Sequence, residues 1–413
     1  MATAGRVRTR FNWKPWLAWL AFVGLAALIP FGFYLWILNL DNQGTFYVSA
    51  SFADIDGDGD LDVIAQNLRQ ESAVTAFGGP QVWLNQGNRS FTRQIYELPL
   101  GESGGWDSTV ADMDQDGDPD LVRYLGYALR IDLNQGGAQG GTPGIFRSRY
   151  TIPDLPTHSQ FGTVIVGDVN GDGWPDVLVG GRAQMSVPDE NQASLPGHSW
   201  LWLNSPDDQV RQKSGRVEIA DLAGVPVGEL VLGDLDADGD LDLIAAVLDG
   251  AGSRVLINDG LGNFSDTGQR LGKTSSTSVA LADIDGDGDL DALVGTEQGA
   301  ELWLNQGGAQ GGLVGTFARS PQEFDTLPVR RVFLADLDGD GDSDALIGGV
   351  SQAVVWQNDG QGQFSRLGRP INYTHRHGLG VGDLNGNGRP DIWVGKYDNR
   401  MRIWYNQGDA TFR

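Results

Sequence analysis

The chain contains seven copies of one nine-residue acidic loop, and this repeat constrains its fold more than any other feature. The copies begin at Asp54, Asp112, Asp168, Asp234, Asp283, Asp336 and Asp383. Oxygen-bearing side chains occupy loop positions one, three, five and nine, and glycine always occupies position six. Oxygen ligands at this spacing suit a hard cation such as Ca2+, and glycine makes so tight a turn at the lowest cost. The repeat therefore predicts seven cation-binding turns.

Position seven of the loop is aspartate in five copies, but it is Trp174 in the third loop and Arg389 in the last. A side-chain ligand could not vary so freely, so we expect position seven to offer its backbone carbonyl. The predicted metal ligands, loop by loop, are Asp54, Asp56, Asp58, Asp60 and Asp62; Asp112, Asp114, Asp116, Asp118 and Asp120; Asp168, Asn170, Asp172, Trp174 and Asp176; Asp234, Asp236, Asp238, Asp240 and Asp242; Asp283, Asp285, Asp287, Asp289 and Asp291; Asp336, Asp338, Asp340, Asp342 and Asp344; and Asp383, Asn385, Asn387, Arg389 and Asp391.

The surroundings of the loops exclude the EF-hand, which requires flanking helices and a bidentate glutamate at its twelfth position. The twelfth residue is Ala65 in the first loop and Val294 in the fifth. The flanking segments are short and rich in β-branched and aliphatic residues, as in SVALA before Asp283 and ALVG after Asp291. Each loop is therefore predicted to join two β-strands.

The spacing of the loops predicts a β-propeller. Successive loops start 58, 56, 66, 49, 53 and 47 residues apart, a period typical of repeat architectures. A third strand in each period ends at asparagine, as in VWLN up to Asn85, and a hairpin turn leads to a fourth strand that usually opens with phenylalanine. Four strands in each of seven radial repeats predict an all-β, seven-bladed β-propeller with four-stranded antiparallel blades. A solenoid would have shorter repeats and distinct capping ends.

The acidic DxDxDGxxD loop, followed by a strand ending in Asn-x-Gly and then phenylalanine, resembles the FG-GAP and VCBS repeats, whose propellers are similar to the head of integrin α subunits. This resemblance implies a calcium ion in the loop between the first two strands of a blade, hence up to seven ions. Two loops depart from the pattern. The third has Asn170 in place of one carboxylate, and the last has Asn385, Asn387 and Arg389, so we expect the last site to be weak or empty.

An uncharged segment at 15–40 follows a basic tail at 1–14. Its length and its tryptophan and tyrosine residues predict a transmembrane signal-anchor helix, with the N-terminus cytoplasmic and the propeller periplasmic or extracellular. A cleaved signal peptide is the alternative, although its apolar core would be shorter and followed by a cleavage site. The predicted organisation is therefore the tail, the helix, a linker at 41–47 and the propeller at 48–413.

Composition limits the partners and the cross-links of the chain. With 54 acidic and 29 basic residues its formal net charge is -25, so it lacks the basic surface that nucleic-acid binding requires. Cysteine is absent, so an exported propeller has no disulfides and calcium would supply the cross-linking.

The predicted interaction face is the one opposite the calcium loops, where insertions at 66–80 and 182–199 emerge. Long loops on a rigid scaffold often carry binding residues. The candidate residues on this face are Trp106, His158, Arg182, His198, His375 and His377. A short tether to the membrane span would hold this face near the bilayer, which favours a non-catalytic, accessory subunit of a membrane protein complex.

Two other functions remain as alternatives. One is integrin-like adhesion or glycan binding at the cell surface. The other is an enzyme acting on polysaccharides or lipids, in which His375 and His377 would serve as acid and base or bind a transition metal. The sequence contains no G-x-S-x-G elbow, no cysteine and only four histidines, so no catalytic residues are predicted.

Overall fold

The computed structural model of the protein describes residues 45–71, 74–77, 80–94, 107–125, 128–136, 140–152, 162–181, 197–207, 216–307, 311–324, 328–373, 378–395, 401–408 and 410–413. The predicted tail at 1–14 and the predicted membrane span at 15–40 lie outside these residues. Within the described part of the chain, no helix is both long and apolar enough to cross a membrane.

The described residues form seven antiparallel sheets, each of which is one blade of a β-propeller. The strands of the first three blades are β1 (Thr45–Ala53), β2 (Asp62–Glu71), β3 (Val74–Phe77), β4 (Gln81–Asn85) and β5 (Phe91–Gln94); β6 (Asp107–Ala111), β7 (Asp120–Tyr124), β8 (Leu129–Asn134) and β9 (Phe146–Ile152); and β10 (Gly162–Gly167), β11 (Asp176–Gly181), β12 (Trp200–Trp202) and β13 (Val217–Glu218).

The other four blades repeat this arrangement. Their strands are β14 (Val227–Gly233), β15 (Asp242–Val247), β16 (Ser253–Asn258) and β17 (Phe264–Leu271); β18 (Ser276–Ala282), β19 (Asp291–Thr296), β20 (Gly299–Asn305) and β21 (Phe317–Arg319); β22 (Arg331–Ala335), β23 (Asp344–Gly348), β24 (Gln352–Asn358) and β25 (Phe364–Asn372); and β26 (Leu379–Gly382), β27 (Asp391–Gly395) and β28 (Met401–Trp404). A short 3-10 helix, Ala220–Leu222, precedes β14.

The blades confirm the predicted four-stranded pattern, with variations in the first and the last blade. Strands pair in chain order within each sheet, and the acidic loop always joins the first strand to the second. Blade one has an additional strand, because β2 continues into the 66–80 insertion and pairs with β3 there. In the described part of blade seven the fourth strand is reduced to one bridge between Asn406 and Phe412. Strand β1 begins at Thr45, inside the segment assigned to the linker at 41–47.

The hydrophobic core lies between blades rather than inside one compact centre. The second strands carry continuous buried apolar runs, such as Leu243 to Val247 in β15, because both of their faces are covered by neighbouring blades. The first strands lie around the central axis, each beside the first strands of its two neighbours, and β26 lies beside β1. The propeller is therefore a closed ring.

Among the described strands, none is exchanged between the first and last blades where the ring closes. Phe52 of β1 packs edge-on against Trp393 of blade seven, with ring centroids 6.4 Å apart. A Cβ atom added at Gly380 would lie 2.6 Å from the Phe52 ring, and one at Gly378 would lie 2.8 Å from the Trp393 ring. Glycines in blade seven thus make room for the two aromatic rings that seal this junction.

Candidate metal centres

The first aspartate of each loop folds the loop around its own carboxylate. In the first loop, Asp54 Oδ1 accepts hydrogen bonds from the Gly57 and Asp58 amides at 2.8 and 3.1 Å, and Oδ2 accepts one from Gly59 at 2.9 Å. Gly59, at position six, has a φ of +93°, where a side chain is strained. Position five closes the next turn, because Asp58 Oδ1 accepts the Asp60 amide at 3.0 Å.

Five loops bring three carboxylates together closely enough to bind one metal ion, with ligand oxygens within 4.8 Å of one another. These clusters are Asp54, Asp56 and Asp58; Asp112, Asp114 and Asp120; Asp234, Asp236 and Asp242; Asp283, Asp285 and Asp291; and Asp336, Asp338 and Asp344. They are the five loops with aspartate at position three. Their members come from positions one, three, five and nine, as the sequence predicts, and the side chain at position seven belongs to none of these clusters.

Several carboxylate oxygens in these clusters are buried without a hydrogen-bond donor. They include Asp56 Oδ1, Asp234 Oδ1 and Asp236 Oδ1. Burial and the neighbouring carboxylates raise the pKa of Asp56 and Asp236, because converging negative charges destabilise one another. These oxygens would coordinate a hard divalent cation, whose charge would remove the repulsion between the carboxylates. The donor set therefore fits calcium.

The aspartate at position nine is the innermost of the predicted ligands, and two backbone amides hold it. Asp120 is fully buried. Its Oδ2 accepts the Met113 amide at 2.9 Å and its Oδ1 accepts the Asn134 amide at 2.8 Å. Burial raises the pKa of Asp120 to about 8 and that of Asp291 to about 7, although the amide donors partly oppose this. The same two-amide arrangement occurs in all seven loops.

The asparagine that ends the third strand connects each loop to the loop of the preceding blade. Asn134 Nδ2 of blade two donates to the Ile55 carbonyl, at position two of the first loop, at 2.8 Å. Six further side chains make the equivalent bond at 2.7 to 2.9 Å: Asn85, Asn204, Asn258, Asn305, Asn358 and Asn406. Because Asn85 donates to Leu384 of blade seven, these bonds form a closed circuit around the propeller.

The side chain at position seven lies against the turn between the third and fourth strands. A Cβ atom added at Gly260 would lie 2.3 Å from Asp240 Oδ2, and one at Gly360 would lie 2.3 Å from Asp342 Oδ2. Glycine stands two residues after the asparagine because the carboxylate at loop position seven occupies the space that a side chain there would need. Blade three, which has Trp174 at position seven, has Pro206 where the other blades have this glycine.

The third and seventh loops differ from the others as the sequence predicts. In the last loop Asn385 Nδ2 donates to Asp391 Oδ2 at 2.7 Å, and Arg389 Nη1 donates to the Gln407 carbonyl at 3.0 Å. In the third loop Asn170 Nδ2 donates to Asp172 Oδ2 at 3.2 Å. The two asparagine amides place donors beside carboxylates that would otherwise face a cation, and the last loop also has the cationic Arg389, so the last loop is the least suited to a metal.

Of the predicted interaction residues, only His198 lies in the described part of the chain; Trp106, His158, Arg182, His375 and His377 lie outside it. His198 Nδ1 is 2.5 Å from Glu218 Oε1, and the His198 ring lies 6.1 Å from the Trp200 ring. The Arg216 guanidinium lies over the Trp200 ring, 5.4 Å from its centroid. These residues, His198, Trp200, Arg216 and Glu218, form the His198 cluster. Since β12 runs toward the acidic loops, this cluster is at the opposite end of blade three.

A polar ring on the first strands lies at the same end of the propeller. Its members stand five residues before six of the seven loops, and the seventh loop has Gly378 at this position. Arg331 of blade six forms an ion pair with Glu229 of blade four, and Asp107 accepts hydrogen bonds from Ser49 Oγ and the Val164 amide at 2.9 and 3.1 Å. Burial raises the pKa of Asp107, although the Arg331 guanidinium opposes that shift. Side chains thus bridge the blades on this face as well.

Sequence reasoning missed three features of these blades. The sequence pattern indicates only that the asparagines end strands, whereas in the structure they connect neighbouring loops. Position four of the loop also has a left-handed φ, including the non-glycine residues Gln115 (59°) and Ala237 (62°). In blade two the fully buried Arg123 and Asp132 form an ion pair at 2.6 Å, and Asp132 stands where five other blades have tryptophan. The sequence does contain a signal for this ion pair, because the third strand of blade two reads IDLN where most other blades read VWLN or a similar sequence.

The family model for the FG-GAP-like repeat matches residues 69–122, 234–294, 283–347 and 336–394. Together these segments cover just over half of the chain and contain five of the seven acidic loops. The chain belongs to the FG-GAP-like repeat family. The resemblance seen in the sequence is therefore confirmed for its repeats and its fold.

Solved structures share the fold of this FG-GAP-like repeat protein at low sequence identity. A lectin from Agrocybe aegerita that recognises non-reducing terminal N-acetylglucosamine is similar at a TM-score of 0.50 and 20% identity, over 86% of each chain. A rhamnogalacturonan lyase from Bacillus licheniformis is similar at 0.51 and 13%, over 88% of this chain and 72% of that one. The rhamnogalacturonan lyase YesW is similar at 0.52 and 14%, over 87% and 71%. These similarities establish the fold alone.

Proposed function

We propose that this chain is a calcium-stabilised, extracytoplasmic interaction module and an accessory subunit of a membrane protein complex. One observation carries the proposal: every inner carboxylate is fully buried and held by two backbone amides, as Asp62 is by Ile55 and Asn85. Carboxylates fixed in this way hold a scaffold and a cation, and they are poorly placed to exchange protons with a substrate. The acidic face is therefore assigned to stability, and partner binding to the opposite face.

The calcium assignment follows from the donor chemistry. Each cluster offers oxygen atoms only, which suits calcium better than zinc or copper. Asp at positions one, three, five and nine would bind through side chains, and position seven through its carbonyl, in the first, second, fourth, fifth and sixth loops. The third site would be weaker and the last weak or empty.

The position of the first strand supports the proposal that the interaction face lies near the membrane. Strand β1 runs toward the loop at Asp54, so its start at Thr45 lies at the opposite face. With a membrane span at 15–40, four residues would separate the bilayer from the propeller, a distance of at most about 15 Å. That face, with the 66–80 hairpin and the His198 cluster, would lie close to neighbouring subunits in the membrane.

Affinity capture of the full-length chain from detergent extracts, followed by mass spectrometry, tests this assignment. A defined set of membrane subunits is expected with the unaltered chain, and less of it with His198→Ala combined with Arg216→Ala. Leu261→Ala combined with Leu313→Ala is the matched control, because these side chains are 68% and 75% exposed on turns of the acidic face. Recovery of the chain alone, or an equal loss with both pairs, would contradict the proposal.

Glycan binding is the second candidate, and the group of Trp200, His198 and Arg216 favours it. An indole ring beside polar side chains can stack on a sugar while its neighbours bind the hydroxyl groups. Binding of the full-length chain to an array of glycans, lost in His198→Ala, would support this function over that of a complex subunit. Cleavage of rhamnogalacturonan by the purified chain, followed as unsaturated product, would instead support the alternative of a polysaccharide-acting enzyme.

A further inference from the structure

The backbone at position two of each acidic loop is held from both sides. In the third loop the Val169 amide donates to Asp176 Oδ2 at 3.1 Å, within blade three. The Val169 carbonyl accepts from Asn258 Nδ2 at 2.7 Å, and Asn258 belongs to blade four. Val169 and Asn258 are both buried. One loop residue is thereby fixed by two different blades.

Val169 stands between Asp168 and Asn170, which are the predicted ligands at positions one and three. The orientation of its backbone determines where those two side chains project. Without a cation their oxygens repel other carboxylates of the loop, so the loop needs an external restraint to keep them converged. Hydrogen bonds to groups just behind the ligands supply such a restraint, and removing one typically weakens metal binding by about 10- to 100-fold.

We propose that Asn258, and the equivalent asparagine of every blade, is a positioning residue for the calcium loop of the preceding blade. This inference rests on the proposed calcium binding. The asparagine reaches its own loop through its backbone amide, which donates to Asp242 Oδ1 at 2.8 Å. Its side chain reaches the neighbouring loop. Replacing the side chain therefore keeps the first bond and removes the second.

The side chain of Asn258 also has local partners, so a suitable control is needed. Its Nδ2 lies 3.1 Å from the Leu241 carbonyl, and its Oδ1 accepts the Gly262 amide at 3.0 Å. Asn406 has matching partners in the Pro390 carbonyl and the Gly408 amide, but its long-range bond goes to Leu337 in the sixth loop. A purely structural role predicts equal effects of Asn258→Ala and Asn406→Ala on the third loop.

The third loop contains its own spectroscopic reporter. Trp174 at position seven is the only aromatic residue inside any of the seven loops. Terbium(III) is an oxygen-binding ion of calcium-like size, and its luminescence is sensitised by a nearby indole. Titrating the full-length chain with terbium, with and without Trp174→Phe, therefore isolates the signal of the third loop. This readout reports metal affinity at one site of the folded chain.

The expected result is that Asn258→Ala weakens terbium binding at the third loop by about tenfold or more, whereas Asn406→Ala leaves that affinity within about twofold. Equal shifts in the two variants, or none in either, would overturn the positioning role. Absence of Trp174-dependent luminescence in the unaltered chain would contradict metal binding at the third loop and would overturn the inference with it. The two failures are thus distinguishable.

Moving the reporter gives a second test that holds even if Asn258→Ala does not fold. Asp60→Trp with Trp174→Phe places the indole at position seven of the first loop. Asn134 donates to that loop through the Ile55 carbonyl, so Asn134→Ala should now weaken the signal by about tenfold and Asn406→Ala should not. The proposal would be overturned if the same asparagine variant weakened terbium binding equally with the reporter in the first loop and in the third loop.

Discussion

The fifth and seventh acidic loops share one backbone and differ in their ligands. Both have aspartate at positions one and nine, glycine at position six, and an inner carboxylate held by two amides: Asp291 by Ile284 and Asn305, and Asp391 by Leu384 and Asn406. The fifth loop adds three carboxylates at positions three, five and seven, whereas the seventh has Asn385, Asn387 and Arg389 there.

This difference separates two roles within the motif. Positions one, six and nine, together with the asparagine, maintain the fold of the loop whether or not a cation is bound. In the fifth loop, positions three and five supply carboxylates whose negative charges repel one another unless a cation binds between them. In the seventh loop the Asn385 amide occupies part of that place, donating to Asp391 Oδ2 at 2.7 Å. A loop of this family can therefore keep the same fold with only two of its five carboxylates.

Removal of calcium should have the largest effect, because it acts on all complete loops at once. Excess EDTA is expected to lower the melting temperature of the full-length chain by at least about 10 °C, since each ion bound only to the folded state adds to its stability. Differential scanning calorimetry with EDTA and with excess calcium measures this. An unchanged melting curve would show that the loops are not cross-linked by metal.

Replacement of an inner carboxylate should cost nearly the same in both loops. Asp291→Ala and Asp391→Ala each leave two buried amides without an acceptor, so each should lower the free energy of unfolding in EDTA by about 3 kcal/mol. Asp287→Asn at position five serves as the control, with a change within about 0.5 kcal/mol under the same conditions. A large effect in the fifth loop alone under these metal-free conditions would show that position nine does not have the same structural role in both loops.

The calcium-free chain should lose stability as the pH rises. Burial raises the pKa of Asp62, Asp242 and Asp344 to about 6, of Asp176 and Asp291 to about 7, and of Asp120 to about 8. These folded-state values exceed the ordinary value, so the folded chain retains protons that the unfolded chain has lost. The contribution is fully present below about pH 4 and disappears as the pH passes through the folded-state values.

The measurement is the melting temperature between about pH 5 and pH 8.5, with EDTA and with calcium. The EDTA series should fall with pH, whereas calcium should flatten it because the cation stabilises the ionised carboxylates. Asp120→Asn should flatten the upper part of the EDTA series. A melting temperature that rises with pH in EDTA would contradict the assigned direction.

The smallest predicted effect concerns position four of the loop. Ala237 has a φ of 62° there, whereas Gly286 of the fifth loop has one of 76°. Ala237→Gly should stabilise the chain by about 1 kcal/mol and Gly286→Ala should destabilise it by a similar amount, because only glycine adopts this φ without strain. Denaturant midpoints in saturating calcium measure both. Changes of the same sign would show that φ does not control this position.

The sequence predicted the seven blades and the carboxylate clusters because each depends on residues close together in the chain, and the weak metal binding of the last loop stays a prediction. The spacing from Asp54 to Asp62 shows the ligand set, and Arg389 shows its loss. The inter-blade bonds depend on distant partners: Asn134 and Ile55 are 79 residues apart, so the asparagine looked like an ordinary strand end. The pairing of Arg123 with Asp132 was hidden because each residue, taken alone, resembles a surface charge.

Counting bound calcium after converting one loop into the other tests the separation of roles most directly. Asp285→Asn, Asp287→Asn and Asp289→Arg give the fifth loop the ligand positions of the seventh. Equilibrium dialysis with metal analysis should find one calcium ion fewer per chain, while the EDTA-treated protein stays folded with an equal or higher melting temperature. The same number of bound ions, or an unfolded protein in EDTA, would contradict the account.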